Sequence, residues 1–374
     1  MFASLLLLAF LLQSLWVIHR TPLRRAEAAY AQAGLDQLAG KALPRDGGAL
    51  PVPAVVAAAP IIVARWLLPP LPPESLKWFL RPPFVAIGWL LGASIWYVAR
   101  RLYGNAGGYT ALTLYCFSPA GFFSWPGPLL TGGLGIFGTI FVAIAAAHTL
   151  YAPRQAAISE LRSRWRRIML LGLAMALAVG SGPWAISLVL LGLGFMLYLL
   201  PERALASVAL VFSGCAVAAV LLLGCYGFRV RAFTEAVNQA NWLPLERGVI
   251  ASEVLRACMT GMRSTENAVL LALAAIAVVA YFAWDRCRYF GNTAPLIALL
   301  VVTALGLCAF ADVFVGPFPL RATPFLYVFI GGVFADLLES RWRNAFRLLL
   351  LGLLIAYATV SAMAVARLHP GGLY

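Results

Sequence analysis

Along most of the chain, apolar residues run almost unbroken for 14 to 23 positions and then stop at a cluster of Arg, Pro or Gly. Uniform runs of that length predict helices that cross a bilayer, because spanning strands alternate apolar and polar side chains and a soluble helix shows a polar face. The predicted spans are 2–18, 83–99, 109–125, 129–151, 168–181, 184–200, 205–226, 267–284, 295–315, 323–338 and 348–366. The expected fold is therefore an all-α polytopic membrane protein with about eleven transmembrane helices. Residues 53–68 are also apolar, but they are short, contain Pro60 and Arg65, and are bracketed by Pro51, Pro53, Pro69 and Pro70. They predict an interfacial or re-entrant helix.

Composition excludes a soluble alternative. The chain is 62% hydrophobic and 11% charged, with a mean hydropathy of +0.88, against about 45–50% and about 25% in soluble domains. The first run, 2–18, lacks the basic start and small-residue cleavage pattern of a signal peptide and reads as a retained span. A net charge of +14 raises the question of nucleic acid, but the arginines lie between apolar runs and form no basic stripe interleaved with aromatics. They orient the chain instead. With the N-terminus cytoplasmic, the short inner connections hold thirteen arginines: 100, 101, 154, 162, 164, 166, 167, 203, 286, 288, 341, 343 and 347. The short outer connections offer Arg321, with Arg367 near the C-terminus. Counting 53–68 as a full span would move Arg154 to Arg167 to the opposite side from the N-terminus. The six cysteines show neither metal-ligand spacing nor a disulfide framework.

The chain reads as one membrane-embedded domain, 1–374, with four parts: a first outer segment 19–82, a helical core 83–226, a second outer segment 227–266, and a C-terminal bundle 267–374. Within the first outer segment, R-R-A-E-A-A-Y-A-Q-A-G-L-D-Q-L-A from Arg24 to Ala39 has helical spacing, with Tyr30, Ala33, Gln37 and Leu38 available to one face. It predicts an amphipathic helix on the membrane surface. A second amphipathic stretch, 231–262, carries Trp242, an interfacial anchor.

From Arg81 to Pro119 the chain reads R-P-P-F-V-A-I-G-W-L-L-G-A-S-I-W-Y-V-A-R-R-L-Y-G, followed by a small-residue run ending in F-S-P. With the first span and the surface helix, this resembles the GT-C membrane glycosyltransferases, most of all the protein O-mannosyltransferase and lipid A aminoarabinose transferase branch, over 24–200. The resemblance implies transfer of a sugar from a polyprenyl-phosphate carrier to a lipid or protein acceptor at the outer face of a bacterial plasma membrane. It implies a carboxylate in the first outer segment, acting as general base or organising a metal, and positive charge for the departing phosphate. Laid onto the family's D-E-x-x-Y-A, the segment E-A-A-Y-A places Glu27 and Tyr30 on the expected Glu and Tyr, and Ala26 on the Asp. Gly127 to Thr131 stand where the family has a second Asp, and Ser181 and Gly182 where it often has Thr-Lys.

The candidate catalytic residues are Glu27 and Asp36; the candidate substrate-binding residues are Tyr30, Arg81, Asp312 and Arg321. Each has a plainer reading: Glu27 and Asp36 on a solvated helix face, Arg81 as an interfacial arginine, Asp312 and Arg321 as a pair that fixes a turn. A divalent cation fits such chemistry, but one good carboxylate makes no ligand set. Two functions stay open: a glycosyltransferase, and a non-catalytic subunit or lipid-carrier-binding component of a larger membrane complex, favoured by the missing acids. A transporter is disfavoured, since no span centre carries a paired charge and no inverted repeat is visible.

Overall fold

The computed structural model describes residues 2–40, 51–67, 75–118, 127–150, 164–240, 265–309, 314–315 and 318–367. These are helical throughout apart from short connections and a two-residue strand pair, Phe314–Val315 with Phe318–Pro319. The contacts divide the chain into two compact units.

The first unit comprises Met1–Pro22, Gly88–Trp125 and Leu245–Tyr374. It holds α1 (Phe2–Arg20), most of α5 (Pro82–Cys116), α11 (Thr265–Ala283), α12 (Phe290–Ala309), α13 (Thr323–Leu338) and α14 (Arg343–Ala366). Helix α13 is apolar on all sides, and nearly all of its residues are buried, as an all-round apolar helix at the centre of a bundle should be. Helix α5 is two helices. At Gly104 the backbone takes φ 73° and ψ −166°, a conformation reserved for glycine, and the chain folds back on itself. Across the hairpin the Tyr115 hydroxyl donates to Gly88 O at 2.6 Å. The arms match the predicted spans 83–99 and 109–125, but the return arm ends as helix at Cys116. Side chains from two other helices satisfy carbonyls at its end, Gln13 donating to Cys116 O at 3.4 Å and Ser361 to Phe117 O, and Tyr327 donates to the Ser118 side chain at 3.0 Å. Bare carbonyls in hydrocarbon would each cost several kcal/mol.

The second unit comprises Leu23–Ile87 and Pro126–Pro244. It holds α2 (Arg25–Ala39), α3 (Pro51–Leu67), α4 (Lys77–Leu80), the start of α5, α6 (Gly127–Leu150), α7 (Trp165–Gly180), α8 (Ser187–Leu199), α9 (Ala204–Cys225) and α10 (Val230–Gln239). Its core joins α6, α7, α8 and α9 through Ala143, Ala147, Leu171, Met175, Met196 and Leu210. Small residues let these helices pack closely, the main source of helix association in lipid.

By length and hydropathy, five stretches suffice to cross a membrane: Phe2–Arg20, Lys77–Cys116, Leu129–His148, Pro201–Cys225 and Arg343–Ala366; the second of these contains the Gly104 fold-back. The shorter apolar helices are Pro51–Ala64, Pro183–Leu199, Asn267–Ala283, Phe290–Gly306 and Thr323–Leu338. Each predicted span has a helix over most of its described residues. The segment expected at the interface is α3, packed lengthwise on α2. A Cβ on Gly34 would lie 2.0 Å from Ala54 O, so only glycine permits this approach. Of the second outer segment, 241–264, with Trp242, lies outside the described residues, whereas α10 confirms a helix over 230–239.

Candidate functional site

Glu27 lies in the first turn of α2, where its carboxylate accepts the Arg24 backbone N–H at 3.3 Å, one half of a capping box. Arg81 lies between α4 and α5. Its carbonyl accepts the N–H groups of Phe84 and Val85 at 3.0 and 3.1 Å, and Pro82 and Pro83, which lack an N–H, open α5 behind it. This fixed backbone aims the guanidinium at α2. Arg81 Nη2 donates to Glu27 Oε2 at 3.0 Å and to Oε1 at 3.3 Å, and Nε donates to Oε2 at 3.3 Å. Arg81 is 2% exposed and the Glu27 side chain 12%. Two groups 54 residues apart, each singled out by sequence, thus form a buried, forked ion pair.

The other candidates are arranged differently. Tyr30 is half-buried one turn along α2 from Glu27. Asp36 sits near the far end of α2, about 13 Å along the axis from Glu27, and accepts Gln32 Nε2 at 3.2 Å. It is therefore not part of the Glu27 and Arg81 cluster. Arg321 is buried at 2% exposure beside the start of α13, in the first unit. Asp312 lies outside the described residues.

Sequence reading missed two features. Thr131, at the end of the stretch that the resemblance lays onto the family's second Asp, accepts a hydrogen bond from Ser181 Oγ at 2.7 Å; both side chains are fully buried. Ser181 is the residue that the resemblance lays onto the family's Thr-Lys, so two positions expected to differ from the family are hydrogen-bonded to each other by neutral side chains. The second feature is a reciprocal cap. Gln37 Nε2 on α2 donates to Cys225 O at the end of α9 (2.8 Å), and Arg229, just past α9, donates through Nη2 to Leu38 O at the end of α2 (2.9 Å). Each helix end receives a side chain from beside the other, which ties the end of α2 to the end of α9.

Among the described residues this arrangement offers no ready ligand set for a divalent cation. The Glu27 oxygens are engaged by Arg81, and no group of three His, Cys, Asp or Glu side chains suited to a metal occurs among the described residues. No step is therefore assigned to one.

A scan against protein-family models finds none that matches, and a search of curated proteins returns no match. Among solved structures the chain is similar to archaeal oligosaccharyltransferase AglB from Archaeoglobus fulgidus, solved in complex with an inhibitory peptide and a dolichol-phosphate. The TM-score is 0.61 over 99% of this chain, at 12% identity. The fold is GT-C-like. The chain spans 56% of the length of AglB, and at this identity the similarity speaks for the GT-C-like membrane fold alone, without choosing a branch.

Proposed function

We propose that this GT-C-like protein takes a polyprenyl-phosphate-linked sugar as donor and transfers the sugar to a lipid or protein acceptor at the outer membrane face. The observation that supports this reading is the buried pairing of Glu27 with Arg81 within a GT-C-like fold. A guanidinium at a membrane surface matches the doubly hydrogen-bonding geometry of a phosphate as well as that of a carboxylate. Donor phosphate arriving at Arg81 takes over the fork and frees Glu27. The acceptor oxygen then attacks the anomeric carbon, the bond from that carbon to the phosphate oxygen breaks, and polyprenyl phosphate departs with the electron pair. Glu27 takes the acceptor proton.

A second reading, a lipid-carrier-binding component without turnover, is favoured by Ala26 at the expected Asp and by the neutral side chains of Thr131 and Ser181 where the resemblance leads one to expect charge. Purified protein in detergent, given radiolabelled polyprenyl-phosphate sugar and scored separately for binding and for turnover, separates the two. Turnover that falls at least a hundredfold in Glu27→Gln, with binding retained, supports the transferase. Binding without turnover in the unaltered protein supports the carrier-binding component, and absence of both rejects each reading.

A further inference from the structure

Within the first unit, the connection from α11 to α12 and the connection from α13 to α14 both carry arginines, but these differ in their partners. Arg286 pairs with Glu339 and Arg288 with Asp285. Arg341, Arg343 and Arg347 are all exposed, and among the described residues none of them forms an ion pair or side-chain hydrogen bond. Arg341 lies 5.6 Å from the ring centroid of Trp342, an indole that is itself 57% exposed. From Arg343 the four-residue spacing continues through Arg347, Leu351 and Ile355, which places all four along one ridge of α14. Leu351 is 47% and Ile355 62% exposed, and Leu348 beside them is 74% exposed. Cationic heads thus give way along one ridge to uncovered aliphatic side chains. From Arg347 to Ile355 is about 12 Å of helix, close to the roughly 15 Å hydrocarbon depth of one leaflet.

We infer that this ridge is a binding site for an anionic phospholipid: phosphate at Arg341, Arg343 and Arg347, the indole of Trp342 at headgroup depth, and one acyl chain along Leu351 and Ile355. Orientation of the chain requires only charge at this end. It does not require three unpaired guanidiniums, a tryptophan and an exposed aliphatic row in register, while the arginines across the connection are neutralised. Charge complementarity selects an anionic headgroup over a zwitterionic one.

The test uses the full chain in mixed micelles, with phosphatidylglycerol or phosphatidylcholine as probe, read by lipid retained in native mass spectrometry and by thermal shift. Phosphatidylglycerol is expected to be retained and to raise the unfolding temperature more than phosphatidylcholine. Each change among Arg341→Gln, Arg343→Gln and Arg347→Gln is expected to weaken retention about fivefold, and all three together about a hundredfold. Arg100→Gln, Arg101→Gln and Arg166→Gln combined is expected to leave the preference intact. Should the triple variant not fold, Arg347→Gln alone carries the comparison. Equal losses in the two sets would mean diffuse attraction without a site, and no preference for phosphatidylglycerol in the unaltered protein would also overturn the inference.

Discussion

Arg81 is almost sealed from water, and among the described residues Glu27 is a carboxylate that pairs with it. Removing one member takes from the other a forked, desolvated ionic contact, so the two positions should be strongly coupled. A double-mutant cycle with Glu27→Gln and Arg81→Gln, read by unfolding in detergent, is expected to give a coupling of about 1–3 kcal/mol; a value near zero would contradict the fork seen here. Sequence drew attention to both residues through motif likeness, but their pairing was not legible, because it depends on how α2 and the α4 to α5 corner meet. The bond between Thr131 and Ser181, 50 residues apart, was hidden for the same reason. Cys287, in the connection between α11 and α12, gives a second test at this scale. Burial, with Asp336 adding to it and Arg286 opposing, pushes its thiol up to about 11. A raised value means the reactive thiolate is scarce near neutrality and grows about tenfold per pH unit up to the shifted value. Peptide mapping after iodoacetamide treatment of the folded protein is expected to show Cys287 almost unmodified at pH 8 and readily modified near pH 11. Rapid modification at pH 8 would mean that the thiol is not buried as described.

At the scale of elements, the apolar runs predicted helices at the right places because length and uniformity are properties of the chain itself. Where the helices end was less legible. The return arm of the α5 hairpin is expected to continue to 125 and stops as helix at Cys116, where Gln13 and Ser361 cap it. The local signal was Pro119, which disfavours helical geometry at Ser118; the capping partners come from distant helices and leave no local mark. The hairpin turn makes a sharper prediction. A Cβ at Gly104 would meet nothing within 4 Å, so a substitution there acts through the backbone alone. Gly104→Ala is expected to cost about 1–3 kcal/mol, seen as a lower unfolding temperature with unchanged helical circular dichroism. An unaffected unfolding temperature would show that the turn relaxes to another conformation.

For the whole molecule, the GT-C-like similarity covers 99% of the chain, yet the number of crossings turns on α3. Its 17 residues extend about 25 Å, short of a roughly 30 Å hydrocarbon core, and its buried Ala54 and Ala58 meet α2 at Gly34. Helix α2 carries Arg25, Glu27, Gln32 and Asp36, side chains that belong in the headgroup region or in water. A helix held lengthwise against such a neighbour, at the glycine contact of Gly34 with Ala54, is kept at the surface with it. That arrangement predicts that Arg24 and Arg101 lie on opposite sides of the membrane, since a single crossing, the first arm of α5, then separates them. If α3 crossed as well, the two would share a side. Single cysteines at Arg24→Cys and Arg101→Cys, in a background whose native cysteines are replaced, can be labelled in sealed vesicles with a maleimide that does not cross the bilayer. Labelling of one from outside, and of the other only after permeabilisation, is the expected result. Labelling of both from one side would make α3 a true span, exchange the sides assigned to the arginine-rich connections relative to the N-terminus, and remove the positive-inside basis for the eleven-span topology.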